Sequence, residues 1–249
     1  MADAQLIFSF TNRKSTFIYN TLIRGYASTK QFHLSISCFH ELLISNSNID
    51  RYTLPIVLKS VSALSSMRLG QQLHTLALVR GFSSELANCN ALITMYSKCG
   101  DLGFARKVFD KMPERSQATW CAMMSGYGMH GEFDKVFWLF ESMLYFGVFP
   151  DAATFTTVLT ACSHGGHVEE GKRYFEMMVR EFRLSPSLEH YTCMVDMLSK
   201  SGRIEEAKGV IERMEIEPDE ALWRAFLGAC SIHGTFQIIV RGKQFNLAD

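Results

Sequence analysis

The sequence lacks three features that would each indicate a particular class of protein. It has no net charge, since 25 basic side chains balance 25 acidic ones, and this argues against a strongly basic nucleic-acid-binding protein. It contains no run of 18 apolar residues, so no membrane-spanning helix is predicted. It shows no secretory signal, and its first segment, MADAQLIFSFTNRKS, is too short and too poor in arginine for a transit peptide.

The two signs of charge are distributed unevenly along the chain. Residues 1–100 carry 9 basic and 4 acidic side chains, whereas residues 101–249 carry 16 and 21. The first part therefore has a net charge of +5 and the second part of −5. A polyanion would be attracted to the N-terminal part.

A five-residue pattern recurs through the chain, with apolar residues at its first, fourth and fifth positions and a variable residue at its second. The copies are YNTLI, LPIVL, CNALI, WCAMM, FTTVL, YTCMV and WRAFL, whose second residues lie at 20, 55, 90, 121, 156, 192 and 224. A period of 31–36 residues over almost the whole chain predicts a solenoid of small supersecondary units.

Each unit contains two helical patterns. In the third unit, Cys89, Leu92, Ile93 and Tyr96 follow the i, i+3, i+4, i+7 spacing of a one-faced helix. Glycines that would end this helix recur at 100, 131, 166, 202 and 234. A second amphipathic pattern follows in each unit, and the fold class predicted is all-α, an α-solenoid of helix-turn-helix repeats.

The seven cysteines occupy packing positions in this pattern. Their number is odd and no secretory signal precedes them, which favours a reducing compartment. Cys89 and Cys99 stand where other units have aromatic residues, or His130 and Ser201, so we interpret them as small apolar side chains.

A zinc site is the alternative interpretation for a second group of residues. His164 and His167, with Cys162 and Cys193, are residue types that bind zinc, and His167-Val168-Glu169 matches the H-x-E half of the zinc deaminase signature. The other half, P-C-x-x-C, is absent because none of the five prolines precedes a cysteine. The two histidines also flank the turn between two predicted helices. We therefore predict no catalytic residue, no metal and no cofactor.

Four segments resemble the pentatricopeptide repeat family of plants, specifically its PLS subfamily of the E type. They are FIYNTLIRGYA, NALITMYSKCGDLGFARKVFDKMPER, TFTTVLTACSHGGHVEEGKRYFEMM and SLEHYTCMVDMLSKSGRIEEA. The resemblance extends over nearly the whole chain and implies a right-handed superhelix. It implies six repeats, at 16–50, 51–85, 86–116, 117–151, 152–187 and 188–219. Residues 1–15 then resemble the tail of a preceding repeat and residues 220–249 a partial E motif, as in a protein truncated at both ends.

The resemblance implies that the repeats bind single-stranded RNA, with one base read by the fifth and last residues of each repeat. The pair Asn20 and Asp50 implies U, Asn90 and Ser116 imply C, and Thr192 and Asp219 imply G. The pair Pro55 and Glu85 selects no base. No definite base is implied by the two remaining pairs, Cys121 with Asp151 and Thr156 with Ser187. The implied target is 5′-U-N-C-N-N-G-3′.

The second residue of each repeat is implied to lie against a base. Phe17 and Tyr52 can stack on bases, each contributing ~1–3 kcal/mol, whereas the other repeats have Ala87, Ala118, Ala153, Glu189 and Ala221. A second interpretation exists for the aspartates: Asp50, Asp151 and Asp219 also stand where ordinary helix N-caps would be.

The resemblance thus implies a non-enzymatic adaptor that selects sites for C-to-U RNA editing in mitochondria or chloroplasts. The deaminase would act in trans, editing-factor proteins are possible partners, and neither a membrane nor a small-molecule substrate is expected. One alternative is a protein-binding scaffold similar to tetratricopeptide repeats, although those keep a uniform unit of about 34 residues. The other alternative is a truncated fragment without activity.

Overall fold

The computed structural model describes residues 1, 6, 8–11, 14–45 and 48–233, and these residues divide into two compact units. In the first unit, residues 1–130, the helices are α1 (Thr16–Ser28), α2 (Phe32–Ile44), α3 (Thr53–Ala63), α4 (Met67–Val79), α5 (Leu86–Lys98), α6 (Leu102–Lys111) and α7 (Gln117–Met129). In the second, they are α8 (Phe133–Tyr145), α9 (Ala152–Gly165), α10 (Val168–Arg180), α11 (Leu188–Lys200), α12 (Ile204–Arg213) and α13 (Glu220–Ile232). The described residues contain no strand, and the all-α prediction is confirmed.

The first helices of neighbouring pairs pack side by side within each unit. In the first unit α1 contacts α3, α3 contacts α5 and α5 contacts α7, while α2, α4 and α6 each pack between two of these helices. In the second unit α9 contacts α11 and α11 contacts α13 in the same way. Within each unit, residues at the same repeat position therefore lie side by side along the row of first helices.

The buried faces follow the periodicity of the sequence. Cys89, Leu92, Ile93 and Tyr96 of α5 are all buried, as the spacing predicts. In the second unit, Phe140 of α8 contacts the rings of Phe155 and Tyr174. Aromatic side chains of this size supply much of the apolar area that holds a helix pair together.

The turn between the two helices of a pair requires a residue in the left-handed region. Gly100 (φ 88°), Gly166 (φ 71°) and Gly202 (φ 74°) supply it, and Lys30 (φ 60°) and Ser65 (φ 49°) take the same place in the first two pairs. Glycine adopts this conformation without the steric cost that a Cβ brings. The recurrent glycines are thus explained by the turn, and Gly234 lies outside the described residues.

The helix starts agree with the period of the repeats, but they do not test the assigned repeat boundaries. First helices begin at Thr16, Thr53, Leu86, Gln117, Ala152, Leu188 and Glu220. The assignment of the six repeats, of the 1–15 tail and of the partial E motif stays a prediction. Residues 2–5, 7 and 12–13 of the tail, and 234–249 of the E motif, lie outside the described residues.

No helix in the described part of the chain is long and apolar enough to cross a membrane.

Candidate functional site

The fifth and last residues of the predicted repeat 16–50 are in direct contact. Asn20 in α1 donates a hydrogen bond from Nδ2 to Oδ1 of Asp50, at 3.0 Å. The same oxygen accepts from the backbone N–H of Tyr52, from the backbone N–H of Thr53 and from the Thr53 hydroxyl, each at 2.9 Å. Asp50 therefore holds the start of α3 and the amide of Asn20 with one carboxylate oxygen.

This set of donors keeps Asp50 ionised. Burial raises the pKa of the carboxyl, but the hydrogen bonds from Thr53, from Asn20 and from two backbone N–H groups outweigh it and lower the pKa below its usual range. Negative charge at the start of a helix is also favoured by the helix dipole. The Asn20–Asp50 pair thus combines an amide with a fixed negative charge.

Asn20 and Asn90, at the fifth positions of two predicted repeats, share one feature. The amide oxygens of Asn20 and Asn90 are both buried, and neither has a hydrogen-bond partner among the described residues. Leaving a buried acceptor unpaired costs ~1–3 kcal/mol. The same atom at the same repeat position is therefore unpaired in both repeats, and it is covered in the free chain.

Asn90 lies in a cleft of the first unit between α3, α5 and α7. The cleft has a volume of about 310 Å³ and is lined by Pro55, Lys59, Lys98 and Ala118 among others. The cleft therefore places Pro55 and Asn90, the fifth residues of two predicted repeats, beside two lysine ammonium groups. An anionic ligand with a flat polar edge fits this chemistry.

Ser116, the predicted partner of Asn90, caps α7. Its hydroxyl accepts from the backbone N–H of Thr119 at 3.4 Å and lies 3.1 Å from the Thr119 hydroxyl, which accepts in turn from the Ser116 backbone N–H. This reciprocal arrangement is a capping box. Capping accounts for the position of Ser116.

Cys121 and Asp151 belong to different units, so each is described by itself. Cys121 is half-buried in α7. Asp151 caps α9, where its Oδ1 accepts from the Thr154 backbone N–H at 2.9 Å and from the Thr154 hydroxyl at 2.7 Å. Asp151 thus repeats the arrangement that Asp50 makes with Thr53.

The pair Thr156 and Ser187 is joined through a residue that the sequence analysis did not select. His190, at the first turn of α11, has Nδ1 2.8 Å from the Ser187 hydroxyl and Nε2 3.1 Å from the Thr156 hydroxyl. A signal was present in the sequence, since the third residue is threonine in three other predicted repeats, at Thr53, Thr119 and Thr154. The longer imidazole side chain reaches from this position to the preceding first helix.

Thr192 and Asp219 line one cleft at the end of the second unit. Its volume is about 720 Å³, and Glu189 and Ala221 also line it. The Thr192 hydroxyl donates to the carbonyl of Leu188 at 2.8 Å, and Asp219 accepts from the backbone N–H of Leu222 at 2.9 Å. The aspartate again has a capping role, while its cleft is large enough to admit a planar ring.

The second residue of each predicted repeat is exposed to solvent. Phe17 and Tyr52 are 77% and 57% exposed, and the Arg51 guanidinium lies 5.3 Å from the centre of the Tyr52 ring. The same exposure holds for Ala87, Ala118, Ala153 and Glu189, and for Ala221 in the predicted partial E motif. Two aromatic rings are therefore presented to solvent on the N-terminal pairs.

The residues of the alternative zinc site are used in packing. His167 packs edge-on against Phe133 and Phe137, with ring centres 6.0 and 5.2 Å away. Burial, helped by the charge of Glu170, raises the pKa of the Cys162 thiol to about 12, which disfavours the thiolate that zinc requires. Within the described residues, no group of three or more His, Cys, Asp or Glu is placed to hold a metal ion.

Sequence profiles of one family match much of the chain. The profile described as PPR repeat matches residues 17–46, 88–116, 153–181 and 189–217, and the profile described as PPR repeat family matches residues 115–164.

Curated proteins of Arabidopsis thaliana are similar over nearly the full chain. The pentatricopeptide repeat-containing protein At2g03380, mitochondrial, is 37% identical over 98% of this chain and 36% of its own length. The pentatricopeptide repeat-containing protein CRR2, chloroplastic, is 36% identical over 97% of this chain and 37% of its own length. The chain thus spans little more than a third of the length of these relatives.

Solved structures share the fold. The crystal structure of the pentatricopeptide repeat protein PPR10 from maize superimposes with a TM-score of 0.63 at 20% identity, covering 95% of this chain and 36% of that chain. The structure of PPR10 in complex with an 18-nucleotide psaJ RNA element gives a TM-score of 0.55 at 15% identity, covering 98% of this chain and 43% of that chain. At these identities the likeness shows the α-solenoid fold alone.

Proposed function

This chain belongs to the pentatricopeptide repeat family, and from that premise we propose that it binds single-stranded RNA with base selectivity. Its fifth and last residues form the reading pairs, and the preferred target is 5′-U-N-C-N-N-G-3′. The maize PPR10 structure in complex with an RNA element supports the choice of ligand. Neither binding nor base selection requires a catalytic group in the chain.

The observation that carries the proposal is the Asn20–Asp50 hydrogen bond beside an unpaired amide oxygen. Uracil and cytosine both present a hydrogen-bond donor on the Watson–Crick edge, which the oxygens of Asn20 and Asn90 can accept. Both oxygens are covered in the free chain, so the base reaches them only when neighbouring side chains move aside. Pairing them would remove the cost of the unpaired acceptor.

The exposed rings and the exposed cations support the same ligand. Phe17 and Tyr52 can each stack on a base, for ~1–3 kcal/mol per base. Arg24, Lys59 and Lys98 are exposed on first helices of the first unit, where they can pair with phosphates. The second unit presents Glu189 to the corresponding surface, so the affinity resides mainly in residues 1–130.

At a finer level, we propose that the chain is part of an E-type protein of the PLS subfamily. It serves as a site-recognition adaptor for C-to-U editing of organellar transcripts, with the deaminase supplied by a partner in trans. The names of the Arabidopsis relatives place some in mitochondria and others in chloroplasts, which supports an organellar location without choosing between the two.

The direct test is fluorescence anisotropy of the purified chain with 5′-UACAAG-3′ in a neutral flank. The control oligonucleotide exchanges the U, C and G. We expect at least tenfold preference for the designed sequence, since a single good hydrogen-bonding pair already discriminates by ~1–3 kcal/mol against a wrong base. Equal affinity for the two oligonucleotides would contradict base reading.

The salt dependence of the same titration tests the phosphate contacts. Three phosphate contacts on a single strand give a slope of log K against log salt of about −2, or roughly twentyfold weaker binding on going from about 50 to 200 mM salt. The triple variant Arg24→Gln, Lys59→Gln, Lys98→Gln is expected to flatten this slope. No change in slope would exclude these three cations as phosphate contacts.

A protein-binding scaffold is the second candidate function, and one surface feature favours it. Trp138, Tyr145, Phe146 and Phe149 are all exposed on α8 and the segment after it. A folded chain that binds neither oligonucleotide would favour this candidate.

A further inference from the structure

The His190 imidazole is fully buried, and both of its nitrogens are engaged. The backbone N–H of Ser187 donates to Nδ1 at 2.9 Å, so Nδ1 is an acceptor and the ring proton of the neutral imidazole is on Nε2. Nε2 lies 2.9 Å from the carbonyl oxygen of Ala152 and 3.1 Å from the Thr156 hydroxyl. The tautomer therefore follows from the two backbone partners.

This tautomer fixes the hydroxyl protons of the pair. Because Nδ1 accepts, the Ser187 hydroxyl, 2.8 Å away, shares its single lone pair with the Ser187 backbone N–H. The Thr156 hydroxyl donates to the carbonyl of Ala152 at 3.1 Å and can accept from Nε2–H. The Thr156 donor goes to the helix backbone, as the Thr192 donor goes to Leu188, so His190 takes up the accepting side of the Thr156 hydroxyl.

The threonines at the same repeat position bond to the cap residue. Thr53 bonds to Asp50, Thr119 to Ser116 and Thr154 to Asp151, in each case the last residue of the preceding predicted repeat. A threonine side chain ends at its hydroxyl beside the cap, whereas the imidazole extends on to the neighbouring first helix. His190 thus hydrogen-bonds to both members of the predicted pair.

We propose that His190 is a specificity-determining residue that silences the predicted repeat 152–187 by occupying the hydroxyls of Thr156 and Ser187. This inference rests on the proposed RNA-reading function and deepens it. The base opposite this repeat, the fifth nucleotide of 5′-UACAAG-3′, is bound without selection. The chain therefore tolerates any base there.

The test varies the fifth nucleotide among the four bases and measures affinity by anisotropy. Wild type is expected to differ by less than twofold among the four, while it selects the first nucleotide by about tenfold. His190→Thr installs the residue that three other predicted repeats have, and it frees the accepting side of the Thr156 hydroxyl. It is expected to create at least a fivefold preference at the fifth nucleotide, which the double variant His190→Thr, Thr156→Val then loses.

Thr156→Val in the wild-type background tests the proposal while His190 keeps its bonds to the Ser187 backbone and to the Ala152 carbonyl. It removes one hydroxyl at nearly constant volume, and base preference at the fifth nucleotide is expected to stay unchanged. A wild-type preference at that nucleotide that Thr156→Val abolishes would overturn the proposal, as would a folded His190→Thr variant that gains no preference. Loss of selection at the first nucleotide as well would instead refute the RNA-reading function itself.

Discussion

Asp50→Ala is expected to lower both the stability of the chain and its selectivity for U at the first nucleotide. The substitution removes the acceptor for two backbone N–H groups at the start of α3, and loss of such a cap costs ~1–2 kcal/mol. It also removes the partner of Asn20, so preference for U over the other bases should fall from about tenfold to near unity. Urea denaturation followed by circular dichroism measures the first effect and anisotropy the second.

Asp101→Ala is the matched control for this prediction. Asp101 caps α6 through the backbone N–H of Phe104 at 2.9 Å, and it belongs to none of the predicted reading pairs. The control should lose about 1 kcal/mol of stability while U selectivity is preserved. If both variants lost selectivity to the same degree, Asp50 would be a cap and nothing more.

Phe140→Ala is expected to have the largest effect on stability. The Phe140 side chain is 0% exposed and lies between Phe155 and Tyr174, with ring centres 5.5 and 5.1 Å away. Removing a buried phenyl ring costs ~3–5 kcal/mol, because the cavity left behind adds to the lost burial. Chemical denaturation of the purified variant gives the value.

Tyr145→Ala on the same helix provides the comparison. Tyr145 is 87% exposed, so an equally drastic truncation there should change the free energy of unfolding by less than about 0.5 kcal/mol. Similar losses for the two variants would show that Phe140 is not part of the packed core between α8, α9 and α10.

The fold was predictable because it depends on periodic signals. The buried face of α5 follows from the spacing of Cys89, Leu92, Ile93 and Tyr96, since a helix repeats every 3.6 residues. The turn after it follows from Gly100, whose positive φ few other residues adopt. In the first two pairs Lys30 and Ser65 take this conformation, so the turn there could not be read from glycine alone.

The candidate site was only partly predictable. The residues of the pairs came from a family resemblance, and the sequence alone left capping and base reading as alternatives for Asp50, Asp151 and Asp219. Asp151 and Asp219 cap helices in the structure, and Asp50 accepts from the backbone N–H groups of Tyr52 and Thr53 at the start of α3. Capping does not exclude base reading, because Asp50 uses one oxygen for the cap and for Asn20, and its second oxygen is separate from both.

His190 could not have been placed by pattern alone. Its sequence position marks it as a helix-start residue, but its contact with Thr156 joins residues 34 apart and depends on how far α9 lies from α11. The pairing of Asn20 with Asp50 is of the same kind, since it joins residues 30 apart. Such distances are set by tertiary packing, which a one-dimensional period does not specify.

The measurement that tests the central claim most directly is the base preference of Asn20→Thr at the first nucleotide. The substitution gives the first pair the composition of the pair Thr192 and Asp219, so preference should switch from U to G, with affinity for the G oligonucleotide rising as that for U falls. Asn20→Thr is scored against all four bases by anisotropy. A uniform loss of affinity for all four, or an unchanged preference for U, would contradict base reading by the fifth and last residues.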